Sequence, residues 1–169
     1  MSSPSTRSRL SSQAASDELV DAVLGASRAL VGVAARSLAT VADDVTLAQY
    51  RVLIELASRG PQRVADLATA LTVDRSTATR MSDRLVRKRL VARRRATDDR
   101  RAVRISLTTS GAQLVTDVSH RRRTEIQKIV RHIPAAQRTL VIESLQEFSR
   151  AAGEVPEQDW SLGWGHEHD

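Results

Sequence analysis

Apolar residues recur at three- and four-residue spacing through Leu19, Val23, Ala26, Leu30, Ala34 and Leu38. That period places them on one face of a helix and predicts an α-helix from Asp17 to Thr40, about 36 Å long, with Asp17 and Glu18 in its electropositive first turn. Thr46-Leu47-Ala48-Gln49 has the form of a capping box. It opens a second helix with Leu47, Tyr50, Ile54 and Ala57 inward, closed by Gly60-Pro61. A short helix over Arg63-Val64-Ala65-Asp66-Leu67-Ala68, a turn at Thr72-Val73 and a further helix follow. In that further helix Asp74 is the expected N-cap, and Ala78, Met81, Leu85 and Val86 share the inward face. The period then changes to two, with Val103, Ile105 and Leu107 alternating with Arg104 and Ser106. Paired with Val91-Ala92-Arg93-Arg94-Arg95, this predicts a hairpin joined at Ala96 to Arg101. Thr108-Thr109-Ser110-Gly111 starts a long helix through Leu114, Val115, Val118, Ile126, Ile129 and Ile133. Pro134 interrupts it and opens a last helix carrying Leu140, Val141, Leu145, Phe148 and Ala152.

The predicted fold class is mainly α with a small β-hairpin wing: a winged helix-turn-helix flanked by long dimerisation helices. The expected divisions are a disordered arm at 1–15, an N-terminal dimerisation helix at 16–45, the winged module at 46–108, C-terminal dimerisation helices at 109–152 and a flexible tail at 153–169. A small winged module needs far less apolar helix than this chain supplies. The flanking helices are therefore expected to bury one another across a homodimer, with Leu19, Val23, Leu140, Leu145 and Phe148 in the interface. An intramolecular bundle is the alternative use for the same faces.

Charge sharpens the picture. Residues 61–108 hold 13 Arg and Lys against 5 Asp and Glu, a net of +8, while the whole chain is +6. Basicity confined to one segment produces a directed field and phosphate contacts rather than general solubility. Aromatic residues make up only 2% of the chain, so the core is aliphatic. With no cysteine, the chain has no disulfide, thiolate metal site or cysteine-based redox switch. No apolar run approaches the length of a membrane span, and Met1-Ser2-Ser3-Pro4-Ser5-Thr6-Arg7 lacks the apolar centre of a secretion signal; the expected location is cytoplasmic.

Together these features point to duplex DNA. The polar side of the helix after Asp74 presents Asp74, Arg75, Ser76, Thr77, Thr79 and Arg80 in its first turns. A helix entering the major groove brings such residues to base edges, where arginine binds guanine through two hydrogen bonds and a threonine methyl meets that of thymine. Arg84, Arg87, Lys88, Arg94 and Arg95 are placed for backbone phosphates, although Arg84 paired to Asp83 or a wing carboxylate is an equal alternative. At the hairpin tip, Asp99 beside Arg100 and Arg101 has two readings. One carboxylate aims an arginine into a narrow minor groove, or aspartate favours the bend.

The ordered set of Val45-Thr46-Leu47-Ala48-Gln49-Tyr50-Arg51-Val52-Leu53, Leu67-Ala68, Ser76-Thr77-Ala78-Thr79-Arg80, Leu85-Val86, Asp98-Asp99-Arg100-Arg101 and Leu107-Thr108-Thr109-Ser110-Gly111 resembles the MarR family of bacterial transcription regulators, over residues 17–152. The resemblance implies a triangular homodimer with helices from both chain ends at its interface, each subunit reading half of a palindromic operator. Family members usually repress neighbouring genes and often release DNA on binding a small aromatic or phenolic anion. By position, the recognition residues fall at Ser76 to Arg80 and the minor-groove arginine at Arg100. The peroxide-sensing branch relies on a cysteine that this chain lacks. The ligand pocket of the family is too variable to transfer residue by residue.

His120 and His132, expected in the long helix near the dimer interface, give a pH-response hypothesis. His166-Glu167-His168-Asp169 could chelate a metal but is read as a flexible tail, and neither a cofactor nor a metal is expected. An enzyme is not expected, since no phosphate loop, metal-spaced set or nucleophile with an adjacent base occurs. The competing function is a winged-helix protein that binds DNA without sequence preference, or binds RNA.

Overall fold

The computed structural model describes residues 4–42, 44–95 and 103–160. Six α-helices, a two-stranded antiparallel sheet and a short 3₁₀ turn follow one another: α1 (Pro4–Val41), α2 (Leu47–Arg59), α3 (Val64–Ala70), α4 (Arg75–Arg87), β1 (Val91–Arg95), β2 (Val103–Leu107), α5 (Thr109–Val130), α6 (Ala135–Ala151) and a turn at Glu157–Asp159.

The first helix begins at Pro4, where an unstructured arm through residue 15 was expected. Proline is tolerated in a first turn, and no glycine or further proline interrupts the chain before Gly25, so serine content alone was a poor guide. Its 38 residues span about 57 Å. Its buried side chains among those described are Val33, Ser37 and Leu38, all in the second half.

The core gathers around α2. Tyr50, Val52, Leu53, Ile54, Leu56 and Ala57 are buried there, joined by Leu67 of α3, Leu85 of α4, Val91 and Ile105 of the wing, and Val115 and Val118 of α5. The capping box forms as read, Gln49 N–H donating to the Thr46 hydroxyl at 3.2 Å and Thr46 N–H to the Gln49 side-chain oxygen Oε1 at 3.2 Å. Leu47, expected inward, is exposed, because it is the first residue of α2 and lies beyond the core. In β2 the alternation is broken: Val103 is exposed and Ser106 is buried together with Ile105.

Three helices end in the same reversal. At α3, Thr72 N–H bonds Thr69 O and Val73 N–H bonds Ala68 O; at α4, Arg89 bonds Val86 O and Leu90 bonds Leu85 O; at α6, Gly153 bonds Arg150 O and Glu154 bonds Ser149 O. These are Schellman caps, which need a left-handed residue. Glycine supplies it after α6 (φ 73°), but Thr72 (φ 53°) and Arg89 (φ 58°) supply it at cost on either side of α4.

The joint between the wing and α5 is close. Thr108 accepts Gly111 N–H at 3.0 Å and donates to Arg89 O at 2.7 Å, while its own N–H bonds Leu90 O at 3.1 Å. A Cβ on Gly111 would stand 2.0 Å from Leu90 O, so only glycine fits this Leu-Thr-x-x-Gly corner.

Past Pro134, α6 contains no buried residue: Leu140 is 67% exposed and Phe148 52%. The apolar face was read correctly, but it does not close an intramolecular bundle. Of the expected flexible tail at 153–169, the described part up to Trp160 folds back instead. Trp160 is buried in the core cluster with Val155 against it, and its indole N–H bonds Val155 O at 3.0 Å. A glycine- and proline-rich composition hid one large apolar side chain with a place to go.

Candidate nucleic-acid interface

Helix α4 owes its two faces to its sequence. Ala78, Ser82 and Leu85 are buried and Met81 and Val86 half-buried, with the Ser82 hydroxyl satisfied by Ala78 O at 2.8 Å. The opposite face exposes Arg75, Ser76, Arg80, Arg84 and Arg87, with Thr77 and Thr79 half-buried. Asp74 occupies the N-cap position in extended conformation, but its side chain makes no cap hydrogen bond, contrary to the sequence expectation. Its carboxylate is left on the exposed side at the helix start. Thr79 donates to Arg75 O at 2.8 Å, which pins its rotamer against the helix. Arg80 donates to the Thr77 hydroxyl at 3.1 Å, so the guanidinium leans toward the N-terminus, the end of a recognition helix that meets base edges.

The turn leading into α4 is held by α3. Asp66 accepts Arg63 N–H at 3.2 Å and fixes the start of α3, and the strained Thr72 completes the corner. A crevice of about 750 Å³ between the two helices is lined by Ala65, Thr69, Thr72, Asp74, Arg75 and Thr77.

The wing is tied to α4 by an ion pair between Arg93 of β1 and Asp83. Asp83 thus pairs across to the wing and not with Arg84, whose side chain has no ion pair or hydrogen bond among the described residues; the wing carboxylates, the other partners expected for it, lie outside them. The strands register Val91 with Leu107, Arg93 with Ile105 and Arg95 with Val103. A third segment joins through one residue: Gln62 N–H bonds Ile105 O at 3.0 Å and Ile105 N–H bonds Gln62 O at 2.7 Å. The wing is thereby anchored immediately before α3. Arg94 and Arg95 are exposed on β1. Lys88, expected on phosphates, is instead paired with Asp44 in the α1–α2 connection. Asp99, Arg100 and Arg101 lie outside the described residues, as do His166, His168 and Asp169.

Sequence reasoning missed Asp83 and Arg93 as partners of each other, and missed Gln62 and Trp160. The first two are ten positions apart on different elements, and nothing local marks them as partners. Trp160 carried the one available signal, a large apolar side chain in a polar tail.

Two further sites concern the helices behind the module. A cleft of about 960 Å³ between α1 and α5 is lined by Arg36, Ser37, His120, Arg121, Glu125 and Lys128, among others. His132, expected within the long helix, follows its end in the turn before Pro134. Below α2, the Tyr50 phenol is buried without a hydrogen-bond partner among the described residues. Burial pushes its pKa up, opposed by the neighbouring Ser119 hydroxyl and Arg122 guanidinium, with Glu157 reinforcing the rise. No group of three metal-binding side chains occurs among the described residues, and no helix among them is long and apolar enough to cross a membrane.

Comparison with known proteins agrees with this geometry. Residues 45–103 match the MarR family. The transcriptional repressor MdtR of Bacillus subtilis is 30% identical over 123 residues, covering 73% of this chain and 79% of that protein. The crystal structure of Rv1404 from Mycobacterium tuberculosis superposes with a TM-score of 0.78 at 40% identity, covering 83% of this chain and 95% of the other. Wild-type apo MarR of Escherichia coli superposes with a TM-score of 0.58 at 27% identity, covering 72% and 92%. Joined to a helix-turn-helix and wing built as described, these similarities show that the chain belongs to the MarR family of DNA-binding transcriptional regulators.

Proposed function

We propose that the protein is a sequence-specific repressor that binds a palindromic operator as a homodimer in the cytoplasm. The observation that carries the reading is the exposed polar face of α4, with Arg75, Ser76, Thr77 and Arg80 on its first turns and the wing tied to it through Asp83 and Arg93. In this reading Asp74, Arg75, Ser76, Thr77, Thr79 and Arg80 enter the major groove. Arg84, Arg87, Arg94 and Arg95 meet phosphates, and Asp99, Arg100 and Arg101 take the wing into the minor groove. Lys88 contributes only if its bond to Asp44 opens.

A homodimer accounts for α6, which has no buried residue, and for the exposed Leu19, Val20 and Leu24 on α1. Two copies related by a two-fold axis bury the same patch on each and present two recognition helices to two half-sites. A small aromatic or phenolic anion is the proposed effector. The α1–α5 cleft, where Arg36, Arg121 and Lys128 outnumber Asp117 and Glu125, supplies a net positive charge for one.

The test is binding to the duplex immediately upstream of the protein's own gene and to a scrambled duplex of equal length, at physiological salt. A preference of about a thousandfold or more supports a specific regulator. Equal affinity for both, together with failure to enrich any palindrome from a random duplex pool, makes the protein a DNA binder without sequence preference.

A further inference from the structure

The segment that follows α6 belongs to none of the DNA contacts above, yet it is the part of the chain that ties the last helix to the reading module. Gly153 turns the chain back, and side chains of α2 and α5 hold the segment that follows. Arg59, at the end of α2, donates to Gly153 O at 2.8 Å. Arg51, one turn into α2, holds the Glu154 carboxylate at 2.5 Å. Arg123 of α5 meets Glu157 at 3.3 Å, and Val155 and Trp160 enter the core. Glu157 also lies close enough to Tyr50 for its charge to act on the phenol. Gly153 and Ala152 line one wall of a crevice whose other residues include Gln62, which anchors the wing, and Asp66, which seats α3, so this segment forms a strap beside them.

Helix α6 itself leaves its side chains outside the core of its own chain. Its tether on the module side is the strap. We infer that residues 152–160 fix the angle between the dimer helices and the DNA-reading module, and so set the half-site spacing that the dimer accepts. Glu154, Glu157 and Trp160 are positioning residues: they act on DNA through the geometry of the two modules, without touching it.

This inference rests on the dimeric operator reading, and the experiment separates the two. The probe is the palindrome that the wild-type protein enriches from a random duplex pool, remade with one or two base pairs added or removed between its half-sites. Each inserted base pair rotates one half-site by about a tenth of a helical turn, so a rigid dimer should lose about tenfold or more in affinity per base pair. The Glu154→Gln, Glu157→Gln double variant keeps Trp160 in place, and a chain ending at residue 151 removes the strap; Trp160→Ala lies between them. Dimer mass by sedimentation and helicity by circular dichroism are recorded for each.

The expected result is that folded, dimeric strap variants lose less than about threefold per inserted base pair, a flattened spacing profile, while base preference within each half-site is kept. General destabilisation would lower affinity on all spacers alike and leave the profile's shape intact. A folded, dimeric double variant and truncation that both keep the wild-type profile overturn the strap inference and spare the operator reading. A wild-type protein that shows no spacing optimum overturns both.

Discussion

Replacing Gly111 by alanine sets two effects against each other, and their magnitudes decide the outcome. Alanine is favoured over glycine inside a helix by about 1 kcal/mol, and Gly111 lies in the first turn of α5. Against this, the new methyl carbon would stand 2.0 Å from Leu90 O and 3.2 Å from Leu107 Cδ2. An ordinary carbon–oxygen contact is about 3.3 Å, so α5 and Leu90 must part by more than about 1 Å. Leu90 is not free to give way. Its N–H closes the cap of α4 on Leu85 O, its carbonyl accepts Thr108 N–H, and β1 starts at the next residue. Overpacking costs about 1–3 kcal/mol, and loss of the Thr108–Leu90 bond adds about 1 kcal/mol. Even with helix propensity subtracted, Gly111→Ala should destabilise by about 2 kcal/mol, or about 4–8 °C in Tm for a chain of this size. Calorimetric unfolding at matched protein concentration reads this directly, because association shifts Tm by mass action. A variant melting within about 1 °C of wild type, or above it, would show that the α4–wing–α5 corner is not the rigid joint inferred here.

Further predictions concern the two interfaces and the buried phenol. Arg80→Ala should cost about 1–3 kcal/mol of discrimination at one position of each half-site while leaving binding to unrelated duplex nearly unchanged; an equal loss on every sequence would reassign Arg80 to a phosphate. Phe148→Asp places two carboxylates in the proposed two-fold interface and removes about 3 kcal/mol or more of apolar burial per dimer, so sedimentation should show monomer at concentrations where wild type is paired; unchanged mass would move the interface away from α6. Tyr50 is the single tyrosine, so phenolate absorbance reports it alone. Its raised pKa means that the folded state holds the proton more tightly: stability is full below the unfolded tyrosine value of about 10 and is lost as pH climbs through the folded value. Tyr50→Phe should remove that alkaline loss, and a titration in the native protein at the ordinary tyrosine value would refute the burial argument.

Elements whose causes are local were legible in the sequence. Thr46 and Gln49 cap α2 through partners three residues apart, and Pro134 opens α6 because of its own ring. The inward and outward faces of α4 follow from a period that any helix must obey. Features fixed by distant partners were not legible. Asp83 reads as a candidate partner for its neighbour Arg84 until the wing brings Arg93 to it, and Lys88 reads as a phosphate contact until Asp44 arrives from the α1–α2 connection. Trp160 belonged to a segment whose composition favours irregular backbone, and irregular backbone can still deliver a side chain to a core. Patterning also cannot tell a face that packs within the chain from one kept for a second copy, which is why the same stripe that found α6 left its partner open.

The left-handed residues at Thr72 and Arg89 have an evolutionary corollary. Between these two hard stops lies a single cassette, Arg75–Arg87, whose length and phase are set by its boundaries. Ala78, Ser82 and Leu85 hold it to the core and Asp83 to the wing, while Ser76, Arg80 and Arg84 stand exposed. A lineage could therefore exchange Ser76, Arg80 or Arg84 one at a time and acquire a new operator without rebuilding the protein, whereas inserting a single residue into the cassette would turn its whole reading face away from the groove.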